Sequence, residues 1–152
     1  MRRLFFVLAL VAGVALSSQA QEVGVRFGGM SGHGGVAVDG VFGVGQFSRI
    51  HADVGFFNDG FAAEALWDFL YRPLGGEAFN WYVGAGPSMA VWSSTFLLGA
   101  SGEAGLEYRF GTVPLAIGVD WRPTFWIVED TDFDFNGFGL NVRWVFGGGS
   151  KE

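Results

Sequence analysis

The sequence predicts an all-β protein, an eight-stranded antiparallel up-and-down transmembrane β-barrel preceded by a cleaved signal peptide. Three observations lead to this fold class. Eight segments alternate in polarity with a period of two residues, which is the period of a strand. The charged residues of each segment share one face. Aromatic residues make up 17% of the chain and glycines number 26, whereas charged residues make up only 16%, less than a soluble exported domain normally carries on its surface.

The N-terminus has the pattern of a secretory signal peptide. Met1-Arg2-Arg3 is a basic start, Leu4 to Leu16 is an apolar run, and Ser18-Gln19-Ala20 supplies small residues before the expected cleavage site. A retained membrane anchor is the alternative, but the run is short for a spanning helix. The expected divisions are a signal peptide over 1–20, a transmembrane barrel over 21–146 and a polar tail over 147–152.

The charge and the cysteine content of the mature chain argue against several kinds of partner and site. Removal of Arg2 and Arg3 with the signal peptide leaves seven Lys and Arg against 15 Asp and Glu, which argues against nucleic acid as a partner. The chain has no cysteine, so it has no disulfide and lacks the clusters of most structural zinc sites. No cofactor and no metal site are expected.

The segment from Leu97 to Phe110 shows the alternation most clearly. One face carries no charge, and the other carries Glu103, Glu107 and Arg109 among glycines. Its 14 residues exceed the usual length of a strand in a soluble sheet. Because the charges lie on the face that a soluble barrel would pack with apolar side chains, this strand suits a lipid exterior and a polar interior.

Four strands with the same alternation precede the middle of the chain. A glycine-rich turn around Ser31 to Gly34 follows the first strand, and Asn58-Asp59-Gly60, a hairpin signal, separates the third from the fourth. The predicted bounds of these strands are 21–30, 35–43, 47–57 and 61–72.

Four further strands complete the predicted barrel. Gly111 to Pro114 forms a tight turn, and the acidic stretch from Trp126 to Phe135 is interpreted as a solvated loop. Eight is the smallest common strand number of an outer-membrane barrel. The predicted bounds are 79–91, 97–110, 115–125 and 136–146, and the loops of one end lie near 29–35, 57–61, 91–96 and 126–135.

The charged residues of the eight strands form the main candidate constellation. All lie on the phase opposite the large apolar residues, because a basic side chain facing lipid at mid-bilayer costs about 2–4 kcal/mol. Side chains fill the interior of so small a barrel, so acids and arginines are expected to pair there and plug the lumen. The predicted lumen network comprises Glu22, Arg26, Asp39, Arg49, Asp53, Glu64, Asp68, Arg72, Glu103, Glu107, Arg109, Asp120, Arg122 and Arg143.

Aromatic residues on the opposite phase cluster toward the strand ends. Their rings suit the boundary between lipid headgroups and hydrocarbon, where outer-membrane barrels carry aromatic girdles. A large soluble aromatic core is the alternative. The predicted interface aromatics are Trp67, Tyr71, Trp81, Tyr108, Trp121, Trp144 and Phe146.

The residues favour a protein that is not an enzyme, and no catalytic or cofactor-binding residue is assigned. Ser48, His51 and Asp53 are the nearest approach to a Ser-His-acid set, but Ser48 and His51 have opposite parity on one strand and point to opposite faces. Glu103 and Glu107 lie four residues apart on one face, about 13 Å by the usual rise per residue. That separation is too large for a hydrolase pair.

Three short sequence segments resemble those of a known family. They are Asn80-Trp81-Tyr82-Val83-Gly84-Ala85-Gly86-Pro87, Pro114-Leu115-Ala116-Ile117-Gly118-Val119-Asp120-Trp121-Arg122-Pro123, and Asn141-Val142-Arg143-Trp144-Val145-Phe146. With them, about 21–146 resembles the small eight-stranded outer-membrane barrels of the OmpX/OmpA type. The resemblance implies a monomer in the outer membrane of a Gram-negative bacterium, with outer-membrane lipid and the barrel-insertion machinery as partners. Such barrels usually end in an aromatic residue, whereas here six residues follow Phe146.

Several functions fit these expectations. The first is a non-enzymatic integral outer-membrane barrel with a structural or surface-interaction role. The second is an exported soluble barrel of lipocalin type, which would place Trp and Phe inside and charges outside to bind an apolar ligand. A narrow pore and a lipid-modifying barrel enzyme remain as further alternatives.

Overall fold

The computed structural model describes residues 20–30, 32–76, 78–129 and 131–146. The predicted signal peptide, apart from its last residue, and the predicted tail lie outside the described residues. Within them the chain is all-β and contains no helix. Its strands are β1 Ala20–Met30, β2 His33–Gly45, β3 Ser48–Phe57, β4 Gly60–Pro73, β5 Phe79–Trp92, β6 Thr95–Arg109, β7 Leu115–Trp121, β8 Thr124–Val128, β9 Phe133–Asp134 and β10 Phe138–Val145.

These strands form one closed antiparallel sheet. Strands β1 to β6 pair in chain order, β6 pairs with both β7 and β8, and β10 pairs with both β7 and β1. The register of β6 is the same against β7 (Ala104↔Trp121) and β8 (Ser101↔Thr124), so β7 and β8 act as one barrel strand. Strands β9 and β10 together make another. The predicted eight-stranded antiparallel β-barrel is therefore confirmed.

The two ends of the barrel differ in their connections. We call the end that holds Glu22 and Val145, which pair with each other, the terminal end. The opposite end, the loop end, carries the connections after β1, β3, β5 and β8. Three of these are tight two-residue turns, closed by the pairs Met30↔His33, Phe57↔Gly60 and Trp92↔Thr95. The predicted hairpin at Asn58-Asp59 is one of them.

The seventh barrel strand extends further than the sequence predicts. It is interrupted at Arg122 and Pro123, since proline has no backbone N–H for the ladder, and resumes as β8. The alternation continues across the interruption, so that Thr124 and Trp126 are buried while Phe125 is exposed. The prediction of a solvated loop beginning at Trp126 is therefore wrong. The acidity of the residues that follow concealed three further strand residues, 126 to 128.

A register shift in β4 changes which side chains face the interior. The pairing of β4 with β5 shifts between Asp68 and Leu70, and an extra residue at such a bulge reverses the alternation beyond it. Tyr71 consequently points inward opposite the buried Tyr82, and Arg72 points outward opposite Trp81. The predictions of Arg72 in the lumen and Tyr71 in the outer aromatic girdle are both wrong for this reason.

The outer face of the barrel is apolar over the length of the strands. Large exposed hydrophobic side chains occur on every one of the longer strands, for example Phe27, Val36, Leu106, Val119 and Leu140. The charged residues of the strands are buried instead, with Arg72, Arg109 and Asp134 only partly so. Among the described residues, no helix is long and apolar enough to cross a membrane.

Candidate functional site

The charged interior is the candidate site, and the structure brings most of its predicted members together. Thirteen of the fourteen point inward, and Arg109 among them keeps about a third of its side chain exposed at the terminal end. Arg72 is the exception, since its guanidinium lies on the outer face, 3.7 Å from the ring centroid of Phe47. The buried members are Glu22, Arg26, Asp39, Arg49, Asp53, Glu64, Asp68, Glu103, Glu107, Asp120, Arg122 and Arg143.

Arg122 is the most connected cation of this interior. It follows β7 at the interruption of the seventh barrel strand, and its side chain is 1% exposed. Its Nη1 lies 2.5 Å from Asp53 and 3.1 Å from Glu64, and its Nη2 lies 3.2 Å from Glu103 and 3.4 Å from Asp120. One guanidinium therefore joins carboxylates from four barrel strands, which ties together elements that are distant in sequence.

Arg26 forms a second ion pair with Asp120, the carboxylate that Arg122 also contacts. Its Nη2 donates to Asp120 Oδ1 at 2.6 Å and its Nε donates to Oδ2 at 3.2 Å, the two-point geometry that strengthens an arginine–carboxylate pair. Nη1 and Nη2 also donate to the carbonyl oxygens of Gly29 and Gly137. A side chain at Gly139 would collide with this guanidinium, so the absence of a Cβ there makes room for the arginine in a narrow lumen.

Arg143 anchors the interior near the terminal end. It is fully buried, and its Nε lies 2.8 Å from Glu22 while its Nη1 lies 3.3 Å from Asp39. A third contact joins it to Glu107. Arg109 also pairs with Glu22 and with Glu107, which links the outermost arginine of this end to the buried network.

Arg49 combines ion pairs with stacking on aromatic rings. Its Nε donates to Asp68 at 2.7 Å and its Nη1 to Glu107 at 3.0 Å. Its guanidinium carbon lies 4.3 Å from the ring centroid of Tyr71 and 4.5 Å from that of Tyr82, within cation–π range. Tyr71 further donates its hydroxyl to Glu107, so the inward turn of Tyr71 after the β4 bulge makes it part of the site.

His51 lies at the centre of the network, a role that sequence reasoning missed. Its Nε2 is 2.7 Å from Asp39 and its Nδ1 is 2.7 Å from Glu103. Nη2 of Arg122 and Nη1 of Arg143 approach the ring at 3.1 and 3.2 Å. The inward phase of His51 was the only sequence signal of this position, and its partners come from four other barrel strands.

Three hydroxyl groups form a small layer above the charges on the loop-end side. Ser101 lies between Ser88 and Thr124, with oxygen–oxygen distances of 2.5 and 2.6 Å. All three residues are buried. Their spacing in the sequence gave no signal of this contact, because the trio forms only when β5, β6 and β8 are aligned.

An apolar layer closes the interior toward the loop end. Trp126 and Leu97 pack there with Met30, and alanines of three strands complete the layer. Phe57 and Trp92 are partly buried against it. The full set of buried members is Met30, Ala37, Ala62, Ala90, Leu97 and Trp126.

The predicted interface aromatics occupy the outer face, apart from Tyr71. Trp67, Trp121, Trp144 and Phe146 are exposed, and Trp81 and Tyr108 are half-buried. Nε1 of Trp67 donates to the Ser48 hydroxyl at 2.5 Å on this face. Ser48 and the buried His51 thus lie on opposite sides of the sheet, and the structure does not bring the Ser-His-acid set together.

No protein-family model matches the chain, and no curated protein matches it. What the chain does must therefore be inferred from the arrangement of its own residues, with an apolar outside, an ion-paired interior and short connections.

Proposed function

We propose that this chain is a non-enzymatic integral outer-membrane β-barrel with a structural or surface-interaction role and a plugged lumen, akin to the small OmpX/OmpA-type barrels. The observation that carries the proposal is the inverted distribution of polarity in a closed barrel. Arg26, Arg122 and Arg143 are almost completely buried, whereas Trp67, Val119 and Phe138 are exposed on the outside. Such a surface is stable against lipid hydrocarbon and costly against water.

The same distribution disfavours a soluble barrel of lipocalin type. A barrel that binds an apolar ligand inside needs an apolar interior, but here the largest fully buried side chains include Arg26, Arg143, His51 and Glu22. The outward alternation also covers all eight barrel strands, as expected when lipid surrounds the barrel on every side. Export by the signal peptide, folding by the barrel-insertion machinery and a monomeric state belong to this proposal.

A plugged lumen follows from two barriers in series. The network around Arg122 fills the middle of the barrel with ion pairs, and the layer of Met30, Leu97 and Trp126 closes the loop-end side. To pass through the barrel, an ion would have to disrupt the ion pairs and then cross the apolar layer, which excludes water. We therefore expect no steady conductance when the purified barrel is added to planar lipid bilayers.

Matched valine substitutions test the membrane location. Val119 is exposed in the middle of the seventh barrel strand, and Val113 is exposed in the turn between β6 and β7. Val119→Arg places a charge at mid-bilayer and should destabilise the barrel in lipid vesicles by about 2–4 kcal/mol, while Val113→Arg at the headgroup level should cost about 0–1 kcal/mol. The measurement is urea unfolding in vesicles, followed by tryptophan fluorescence.

Cell fractionation and unboiled gels complete this experiment. A folded membrane barrel should pellet with the outer membrane and migrate differently before and after boiling. Equal stabilities of Val119→Arg and Val113→Arg, together with recovery of the protein in the soluble fraction, would contradict the proposal and favour the soluble alternative.

A further inference from the structure

The interior of the barrel carries more negative than positive charge. Since Arg72 lies outside, eight inward carboxylates face five inward guanidiniums among the described residues. The excess is three negative charges when His51 is neutral and two when it is an imidazolium. Uncompensated charge is costly in a lumen shielded from water, so a bound proton or a bound cation would stabilise the interior.

One group of side chains has the composition and spacing of a cation site. His51 on β3, Asp68 on β4 and Glu103 on β6 each offer one ligand atom, and these atoms lie within 4.8 Å of one another. Nδ1 of His51 is 2.7 Å from a carboxylate oxygen of Glu103. All three residues are buried, with Asp68 and His51 at 0% exposure.

Unpartnered oxygen atoms at this group are the second, independent observation. Asp68 Oδ1 and Glu103 Oε2 are buried without a hydrogen-bond partner among the described residues, and so is the hydroxyl of Tyr82. The second oxygen of each acid is already engaged, that of Asp68 by Arg49 at 2.7 Å and that of Glu103 by Arg122 at 3.2 Å. Each carboxylate is thus oriented by an arginine and keeps one oxygen available.

We propose that the lumen binds one divalent transition-metal ion through His51, Asp68 and Glu103. An imidazole nitrogen with two carboxylate oxygens is a donor set that suits Zn²⁺. Because zinc is usually four-coordinate, three protein ligands leave one coordination position open. The Tyr82 ring lies edge-on to His51 with a centroid distance of 6.0 Å, and its hydroxyl is buried without a hydrogen-bond partner among the described residues. A divalent ion with neutral His51 reduces the charge excess from three to one, which a proton on His51 alone does not achieve.

A neighbouring group around the same histidine is less suited to a metal ion. Asp39, His51 and Asp53 also offer ligand atoms within 4.8 Å of one another. In this group too, each acid pairs with an arginine, Asp39 with Arg143 and Asp53 with Arg122 at 2.5 Å, so the arginines do not distinguish the two groups. Only one carboxylate oxygen of this group, Asp53 Oδ1, is without a partner.

Metal content of the whole barrel tests the proposal. The wild-type protein is unfolded with chelator, refolded into detergent with Zn²⁺, separated from free metal and analysed for zinc per chain. We expect about one zinc ion per chain in the folded barrel. Asp68→Asn and Glu103→Gln should weaken zinc binding at least tenfold, whereas Glu64→Gln, which removes a buried acid that contacts Arg122 at 3.1 Å, should retain it.

Each outcome of this experiment decides the proposal. A folded wild-type barrel without zinc overturns it and leaves protons or water as the partners of the free oxygens. An equal loss of zinc binding in Glu64→Gln and Asp68→Asn overturns the site, because it shows a response to charge alone. Loss of zinc binding in Asp53→Asn with retention in Asp68→Asn also overturns it and assigns the ion to the neighbouring group. If the variants do not fold, X-ray absorption of the wild-type zinc complex must show one histidine nitrogen and oxygen ligands at about 2.0–2.2 Å. The result is independent of whether the barrel resides in a membrane.

Discussion

The interior of the barrel has two halves that are closed in opposite ways. On the terminal side, arginines and carboxylates such as Arg143 and Glu22 fill the space with ion pairs. On the loop side, Trp126, Leu97 and Met30 fill it with apolar side chains. The hydroxyl trio centred on Ser101 lies between them. The same eight-stranded barrel is therefore filled by ion pairs in one half and by apolar side chains in the other.

The two halves should differ in how much stability they lose when one side chain is removed. Buried ion pairs contribute little net stability compared with apolar replacements, but the loss of a single partner leaves a charge without compensation. An apolar layer loses transfer free energy and creates a cavity, and its neighbours can partly relax into it. We therefore expect the ionic half to be the more sensitive to single substitutions, although the apolar half packs the larger rings.

Arg122→Met should have the largest effect of any single substitution considered. The change leaves the carboxylates of Asp53, Glu64, Glu103 and Asp120 without their shared cation, so we expect a loss of about 3–5 kcal/mol in the free energy of unfolding or failure to fold. The measurement is urea unfolding in lipid vesicles, with the folded fraction read independently from unboiled gels.

Arg72→Met is the matched control for this substitution. Arg72 lies on the outer face over the Phe47 ring, and partly exposed contacts of this kind contribute about 0–1 kcal/mol. A loss with Arg72→Met comparable to that with Arg122→Met would mean that Arg72 belongs to the lumen, as the uninterrupted alternation of β4 predicts, and that the bulge is absent.

Leu97→Ala tests the apolar half. Leu97 is buried in the layer with Trp126, so its truncation should cost about 2–4 kcal/mol through lost burial and an internal cavity. Leu98→Ala, one residue further on the exposed face, should cost less than about 1 kcal/mol because truncation of an exposed side chain leaves no internal cavity. The comparison uses the same vesicle unfolding assay, and equal losses at the two positions would contradict an apolar closure of the loop side.

These two halves also show what the sequence can predict. The period of two residues and the placement of charges predict the eight strands and the ionic half, because every strand must present one face to each environment. They cannot predict the bulge between Asp68 and Leu70, which follows from the pairing of β4 with β5. Trp126 was missed because acidic neighbours dominate the composition of its segment.

Contacts across the barrel are a further limit of sequence reasoning. His51, Asp68 and Glu103 come from three strands separated by many residues, and no spacing rule relates them. The same holds for the hydroxyl trio of Ser88, Ser101 and Thr124. Which inward residues meet is decided by the stagger of the strands around a closed barrel, and the sequence alone does not fix that stagger.

The hydroxyl trio gives the smallest and most discriminating prediction. Ser101 contacts both Ser88 and Thr124, so Ser101→Ala leaves two buried hydroxyls without this partner and should cost about 1–2 kcal/mol. Ser88→Ala removes only one contact and should cost about half as much. The triple variant Ser88→Ala, Ser101→Ala, Thr124→Val should recover much of the loss, because apolar groups of similar shape leave nothing unpaired and would extend the apolar half by one layer. A triple variant less stable than Ser101→Ala alone would instead show that the ionic half requires a polar boundary.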